Sequence, residues 1–262
     1  AITAFNAVGA GPCVFTIQLS GDIALTASTT TIDNNTSGVS LVIEGAGHTV
    51  NGQGTPGVRP FTKNFGQVTI NQITITGGNR NSGGDAGGGI TPTQVGSLTV
   101  TNSTITGNAA VFGGGIANCN GPSCILTVQN STISGNSAGT AGGAIYAVGT
   151  VTIDSSTLVN NTNGTLGGAL VMVVNTSTIT VRNSILANSA GGAADCNINS
   201  GAGGPPTFTD GGHNLVETPG NCAARLTGPG TITGQDPALG ALADYGGPTQ
   251  THLPQLSSPA ID

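Results

Sequence analysis

Short runs in which aliphatic residues alternate with threonine recur along most of this chain. The clearest are LTV at 98–100 and 126–128, VTI at 151–153 and ITV at 179–181, each followed by a second run such as TIT at 104–106. An alternation with period two over a few residues predicts a strand. None of these segments carries the ten or more residues of helical periodicity that a leucine-rich or ankyrin-type unit needs.

The runs lie inside a repeated phrase. It reads LTVTNSTITGN at 98–108, LTVQNSTISGN at 126–136 and VTIDSSTLVNN at 151–161, followed by GGGI ending at Ile116, GGAI ending at Ile145 and GGAL ending at Leu170. Weaker copies flank it: VTINQITITGG at 68–78 with GGGI ending at Ile90, and ITVRNSILANS at 179–189 with GGAA ending at Ala194. The central aliphatics Ile75, Ile105, Ile133, Leu158 and Leu186 are separated by 30, 28, 25 and 28 residues. A period of that size, built only from short strands and turns, predicts a solenoid in which each strand pairs in parallel with its equivalent about 4.8 Å away. The expected fold is all-β, a parallel β-helix.

That register predicts two ladders. Thr69, Thr99, Thr127, Thr152 and Thr180 fall between inward aliphatics and should form an outward file of hydroxyls. Asn108, Asn136 and Asn161 recur at a bend, where stacked amides can bond along the axis, a structural role rather than a ligand site. The glycine pairs supply positive φ where the chain bends between strands.

Composition changes this picture little. Charged residues make up 6% and aromatics 3% of the 262 residues, with 45 glycines, a profile that resembles disorder until the regular aliphatic positions are counted. The net charge is −6, and the five bases (Arg59, Lys63, Arg80, Arg182, Arg225) are scattered singly, so no nucleic acid partner is expected. No apolar run approaches eighteen residues, so no membrane span is expected in this segment.

Cysteines are more informative. Cys119 and Cys124 flank one short loop, and Cys196 and Cys222 bracket a glycine- and proline-rich departure from the repeats. Both pairs are read as structural disulfides, with buried thiols as the alternative, and they suggest an oxidising, extracellular location. Cys13 falls outside both pairs, as a thiol or as the partner of a cysteine beyond this segment or in another molecule. No CxxC or paired-histidine pattern accompanies them, so neither a metal nor a cofactor is expected.

The chain reads as a single β-helix domain over 1–262. Residues 1–13, with a possible short helix, are expected to cap the N-terminal end; 14–194 form the coils; 195–262 form an irregular C-terminal cap lying back along the last coils. Leu239, Leu242, Leu253, Leu256 and Ile261 are expected to cover the apolar side of those coils.

NSTITGN…GGGI and NSTISGN…GGAI resemble the repeats of right-handed β-helix proteins of bacterial surfaces, akin to polymorphic outer membrane protein repeats. The tail GGHNLV…DPALGALADYGGPTQTHLP…SSPAID is similar to the choice-of-anchor Q domain that ends many of them, and AITAFNAVGAGPCVFTIQL resembles the sequence downstream of their N-terminal cysteine motif. The resemblance implies a right-handed β-helix that is secreted or surface-attached, and it carries over no catalytic residue. A cysteine in that upstream motif would be a natural partner for Cys13.

Three functions follow as expectations. The first is a non-catalytic structural or adhesive rod that meets surface glycans or copies of itself, stacking head to tail into a filament. The second is a polysaccharide lyase or hydrolase, for which Asp154 and Arg182 fall on equivalent positions of adjacent coils; Asp236, Asp244, His213 and His252 sit in the tail, where turn capping explains them. The third is ice binding through the TxT pairs Thr74/Thr76 and Thr104/Thr106, which fade to Thr132/Ser134, Thr157/Val159 and Ile185/Ala187. The first is the preferred expectation and the other two are its alternatives; with no convincing catalytic constellation in the sequence, an enzyme is not expected.

Overall fold

A computed structural model describes residues 1–9, 11–119, 121, 123–173, 177–190, 194–199 and 205–261. The chain winds into a parallel β-solenoid of about seven turns. Among the described residues the four central turns contribute one strand to each of four parallel sheets, numbered in the order such a turn meets them. Sheet 1 stacks Cys13–Gln18, Val39–Glu44, Gln67–Asn71, Gly96–Thr101, Cys124–Gln129, Thr150–Asp154, Thr178–Arg182 and Thr207–Asp210. Sheet 2 runs from Ile23–Ala24 through Thr74–Thr76, Thr104–Thr106 and Thr132–Ser134 to Ile232–Thr233. Sheet 3 is a short four-stranded wall from Asn79–Arg80 to Thr162–Asn163, and sheet 4 runs from Phe61–Lys63 to Cys196–Asn199.

The core is a set of columns. In sheet 1 one column is Phe15, Leu41, Val68, Leu98, Leu126, Val151, Ile179 and Phe208, and its neighbour is Ile17, Ile43, Ile70, Val100, Val128, Ile153, Val181 and Asp210. Ile75, Ile105, Ile133, Leu158 and Leu186 face them from sheet 2, and Ile90, Ile116, Ile145 and Leu170 from sheet 4, all buried. Like stacks on like because a one-residue slip would turn every aliphatic outward.

The two glycines of each GG pair serve different ends. Gly113 and Gly142 adopt φ of 63° and 68°, in the left-handed region. Gly114, the next residue, needs room instead: a Cβ there would run into the carbonyl oxygens of Ser137 and Gly143 in the coil above. The pair Gly191–Gly192 of the fifth copy lies outside the described residues.

Two expectations about the tail are corrected. Stacking does not end at Ala194, because Cys196–Asn199, Thr207–Asp210, Leu215–Val216 and Ile232–Thr233 still add strands to sheets 4, 1 and 2. The irregular region therefore begins after Thr233, once the aliphatic positions that can face inward run out. Nor do the tail leucines cover an apolar side of the last coils. The antiparallel hairpin of Leu239–Ala243 and Thr251–Pro254 lies over the middle of sheet 2 and meets it through polar groups, while Leu253 is half exposed and Leu256 fully so.

The first helix, α1 (Ile2–Asn6), lies over the N-terminal coils. Buried Phe5 meets Phe15 at 6.1 Å between ring centres. Asn34 donates to the carbonyls of Phe5 and Val8 (2.7 and 3.0 Å), and Asn6 donates to that of Thr31 (2.8 Å). A five-residue helix has too few internal bonds to persist alone, so these side-chain contacts hold it in place.

Candidate functional site along the polar corner

Between sheets 1 and 2 the chain turns within about one residue, which places Gln72, Asn102, Asn130, Ser155 and Asn183 at φ near +50°. Asparagine tolerates that conformation better than most side chains, and the repeat supplies it at three of these five positions. The next residue of each turn points inward and bonds upward: the amides of Ser103, Ser131 and Ser156 donate to the hydroxyls of Ser131, Ser156 and Ser184 at 3.1 to 3.2 Å. Asn214 ends this file by accepting from the Ser184 amide at 3.0 Å. The sequence reading misses this buried serine file, although serine at 103, 131, 156 and 184 recurs with the repeat period.

The predicted asparagine positions also come together. Asn136 Oδ1 accepts from the Asn108 amide and Nδ2 (3.1 and 3.0 Å), and Asn161 Oδ1 accepts from those of Asn136 (3.0 and 3.1 Å). Each Nδ2 also donates to carbonyls of the coil below and of its own bend, such as Ile105 and Ser134 for Asn136. All three are buried, so this file faces the interior. Thr69, Thr99, Thr127, Thr152 and Thr180 lie in direct register on the outer side of sheet 1, each half-buried. Cys119–Cys124 and Cys196–Cys222 are disulfides, and Cys13 is exposed in the first strand of sheet 1.

Outside the serines, a second polar file follows the corner along the rod axis. Asn71 donates to Glu44 (2.7 Å), Asn102 to Asn71 (2.8 Å) and Asn130 to Asn102 (2.6 Å). It continues in Asp154, which receives Arg182 at 2.8 Å and Asn183 at 3.2 Å. Burial alone would raise the Asp154 pKa, yet hydrogen bonds from Arg182, Asn183 and Ser155 outweigh it and hold the carboxylate below its ordinary value. The two residues singled out for catalysis thus meet, and they satisfy each other. A groove of about 400 Å³ opens beside this file, lined by Thr101, Asn102, Gln129, Asn130 and Ser155. A smaller one of about 200 Å³ shares Asn130 and is closed by 247–251 of the hairpin.

The hairpin settles where the TxT pairs stand. Thr251 bonds Thr132 at 3.0 Å, His252 Nε2 bonds Ser134 at 2.8 Å, and Thr104 donates to the Gln250 carbonyl. Since the His252 Nδ1 contacts the Gly240 carbonyl at 2.7 Å, Nδ1 carries a proton, and Nε2 of a neutral ring accepts from Ser134. Thr104, Thr132 and Ser134 are buried, so this stretch is not an open hydroxyl array. Asp236 and Asp244 cap turns, each accepting the amide two residues on at 2.8 Å.

The chain was compared with family models, curated proteins and solved structures, and none matches. No helix among the described residues is long and apolar enough to cross a membrane.

Proposed function

We propose that this chain is a non-catalytic structural and adhesive rod of a bacterial surface, and that its polar corner holds a neutral, hydroxyl-rich glycan along the axis. The carrying observation is the axial file Glu44, Asn71, Asn102, Asn130 beside the groove lined by Gln129 and Ser155. Amide groups fixed at the coil spacing offer paired donors and acceptors on a rigid support, which suits recognition of sugar hydroxyls. The two disulfides fit an extracellular setting. The resemblance of the repeats to polymorphic outer membrane protein repeats, and of the tail to a choice-of-anchor Q domain, supports attachment to a cell surface. A glycan-cleaving reading would rest on Asp154 and Arg182, whose mutual pairing leaves neither poised to move a proton.

Titration calorimetry with neutral oligosaccharides (gluco-, manno- and galacto-series) tests the adhesive reading. At least one series should bind, and Asn102→Ala combined with Gln129→Ala should weaken it roughly tenfold. Binding unchanged in that variant, or no binding by any series, would sink the glycan part of the proposal. Release of new reducing ends would favour the cleaving reading instead.

A further inference from the structure

The N-terminal end of sheet 1 is a strand edge. Among the described residues Cys13–Gln18 pairs with Val39–Glu44 on one side only and stands at the end of the sheet order. The amides of Cys13 and Leu19 donate into the second coil, to Gly38 and Glu44 carbonyls at 3.1 and 2.8 Å. Successive amides of a strand alternate in direction, so those of Val14, Thr16 and Gln18 point off the end of the rod. Phe15, Ile17 and Leu19 are half-buried, whereas Leu41 and Ile43, their column neighbours in the next coil, are buried. Beside them opens an apolar cavity of about 330 Å³, walled by Ile2, Ile17, Leu19, Ile23, Val50 and Phe61.

We propose that this end is a strand-acceptor site: it binds an extended, uncharged segment of a partner polypeptide, laid parallel to Cys13–Gln18, whose alternate aliphatic side chains enter the cavity. The coil interface itself argues for this occupant. Every neighbouring pair in sheet 1 is parallel, so the edge is a continuation of an interface the molecule already uses seven times. Added there, a strand would pair the outward amides and finish burying Phe15 and Ile17. The C-terminal end of a second copy is a poor occupant, because the Ile17 column ends there on Asp210, a carboxylate already engaged by four donors. A second N-terminal end would arrive through a two-fold axis and pair antiparallel, against the register of the ladder.

Fluorescence anisotropy with an acetylated, amidated peptide of residues 95–102 (VGSLTVTN), labelled with fluorescein, tests the site without reference to the glycan groove. Saturable binding is expected. Thr16→Pro removes one outward amide while sparing the bonds into the second coil, and should weaken binding roughly tenfold or more. N-methylation of the peptide amides that would face the edge should abolish it, and this arm decides even if the proline variant does not fold. The proposal is overturned if no saturable binding occurs, if N-methylation leaves it unchanged, or if sedimentation shows Thr16-dependent dimers that bind no peptide.

Discussion

At the N-terminal end the inward columns of sheet 1 stop on Phe15 and Ile17, covered in part by Phe5 of α1; at the C-terminal end they stop on Phe208 and Asp210. The first closure is apolar and leaves a cavity beside it. The second is polar and covalent. Asp210 accepts from Gly212, Gly228, Asn214 and Thr231 at 2.6 to 3.0 Å, and the disulfide of Cys196 with Cys222 ties the 3₁₀ turn Gly220–Arg225 to the last strand of sheet 4. Buried Asp195 adds two more amides, from Ser189 and Thr218, although burial raises its pKa. A stack end exposes two things at once, the tops of apolar columns and a row of backbone amides. An aromatic plug hides the first, and only oriented acceptors answer the second.

Replacing Phe5 by alanine should have the largest effect, up to about 3–5 kcal/mol at the site. Hydrogen exchange should quicken over 13–44 and stay unchanged in 205–233. Uniform acceleration along the rod would mean that the ends are not independent and would break the comparison.

Asp210→Asn should cost about 1–3 kcal/mol, confined to the last coil. Burial by itself raises the Asp210 pKa, but the four donors outweigh it and the pKa lies below the ordinary value. The folded value is thus depressed, so the stabilisation is present above the unfolded value of about 3.9 and is lost as pH falls through the folded one. Exchange from 205–233 measured down the acid range should therefore quicken in the parent protein and be flat for Asp210→Asn.

An effect confined to alkaline pH belongs to Lys63, which is 1% exposed and whose Nζ meets only the carbonyls of Asn64 and Val95, at 3.4 and 3.3 Å, in the bonds described. Burial lowers its pKa from 10.5 to about 8. In that window the unfolded chain holds the proton more firmly than the folded one, so stability should rise with pH from about 8 toward 10.5. Tyr146, raised by burial from 10.0, acts in the opposite sense only above that value. Urea unfolding of Lys63→Met should lose the rise; a parent protein whose stability is level from pH 8 to 10 would show that the amine is solvated in the N-terminal coils.

Much of the scaffold is legible in the repeats. The period-two runs and their spacing near 28 residues place Leu98 on Leu126 and Thr99 on Thr127, because stacking repeats one local decision at each coil. The Asp154–Arg182 neighbourhood follows from the same register. The serine file is equally periodic, but a small polar residue next to a turn asparagine gives no sign of which way it points.

What the sequence determined by itself was therefore the coil, its register and the staples of its loops. The tertiary structure alone decided the rest. The hairpin reaches back so that Thr251 meets Thr132 and His252 meets Ser134, at separations of 119 and 118 residues, and no period encodes such a contact. Lys63 is buried because its strand position faces inward beneath Gly96, although its chemistry alone predicts exposure. The two ends depend on which residue happens to be last in a column. Periodic positions carry their environment in the sequence; aperiodic ones acquire it only when distant segments meet.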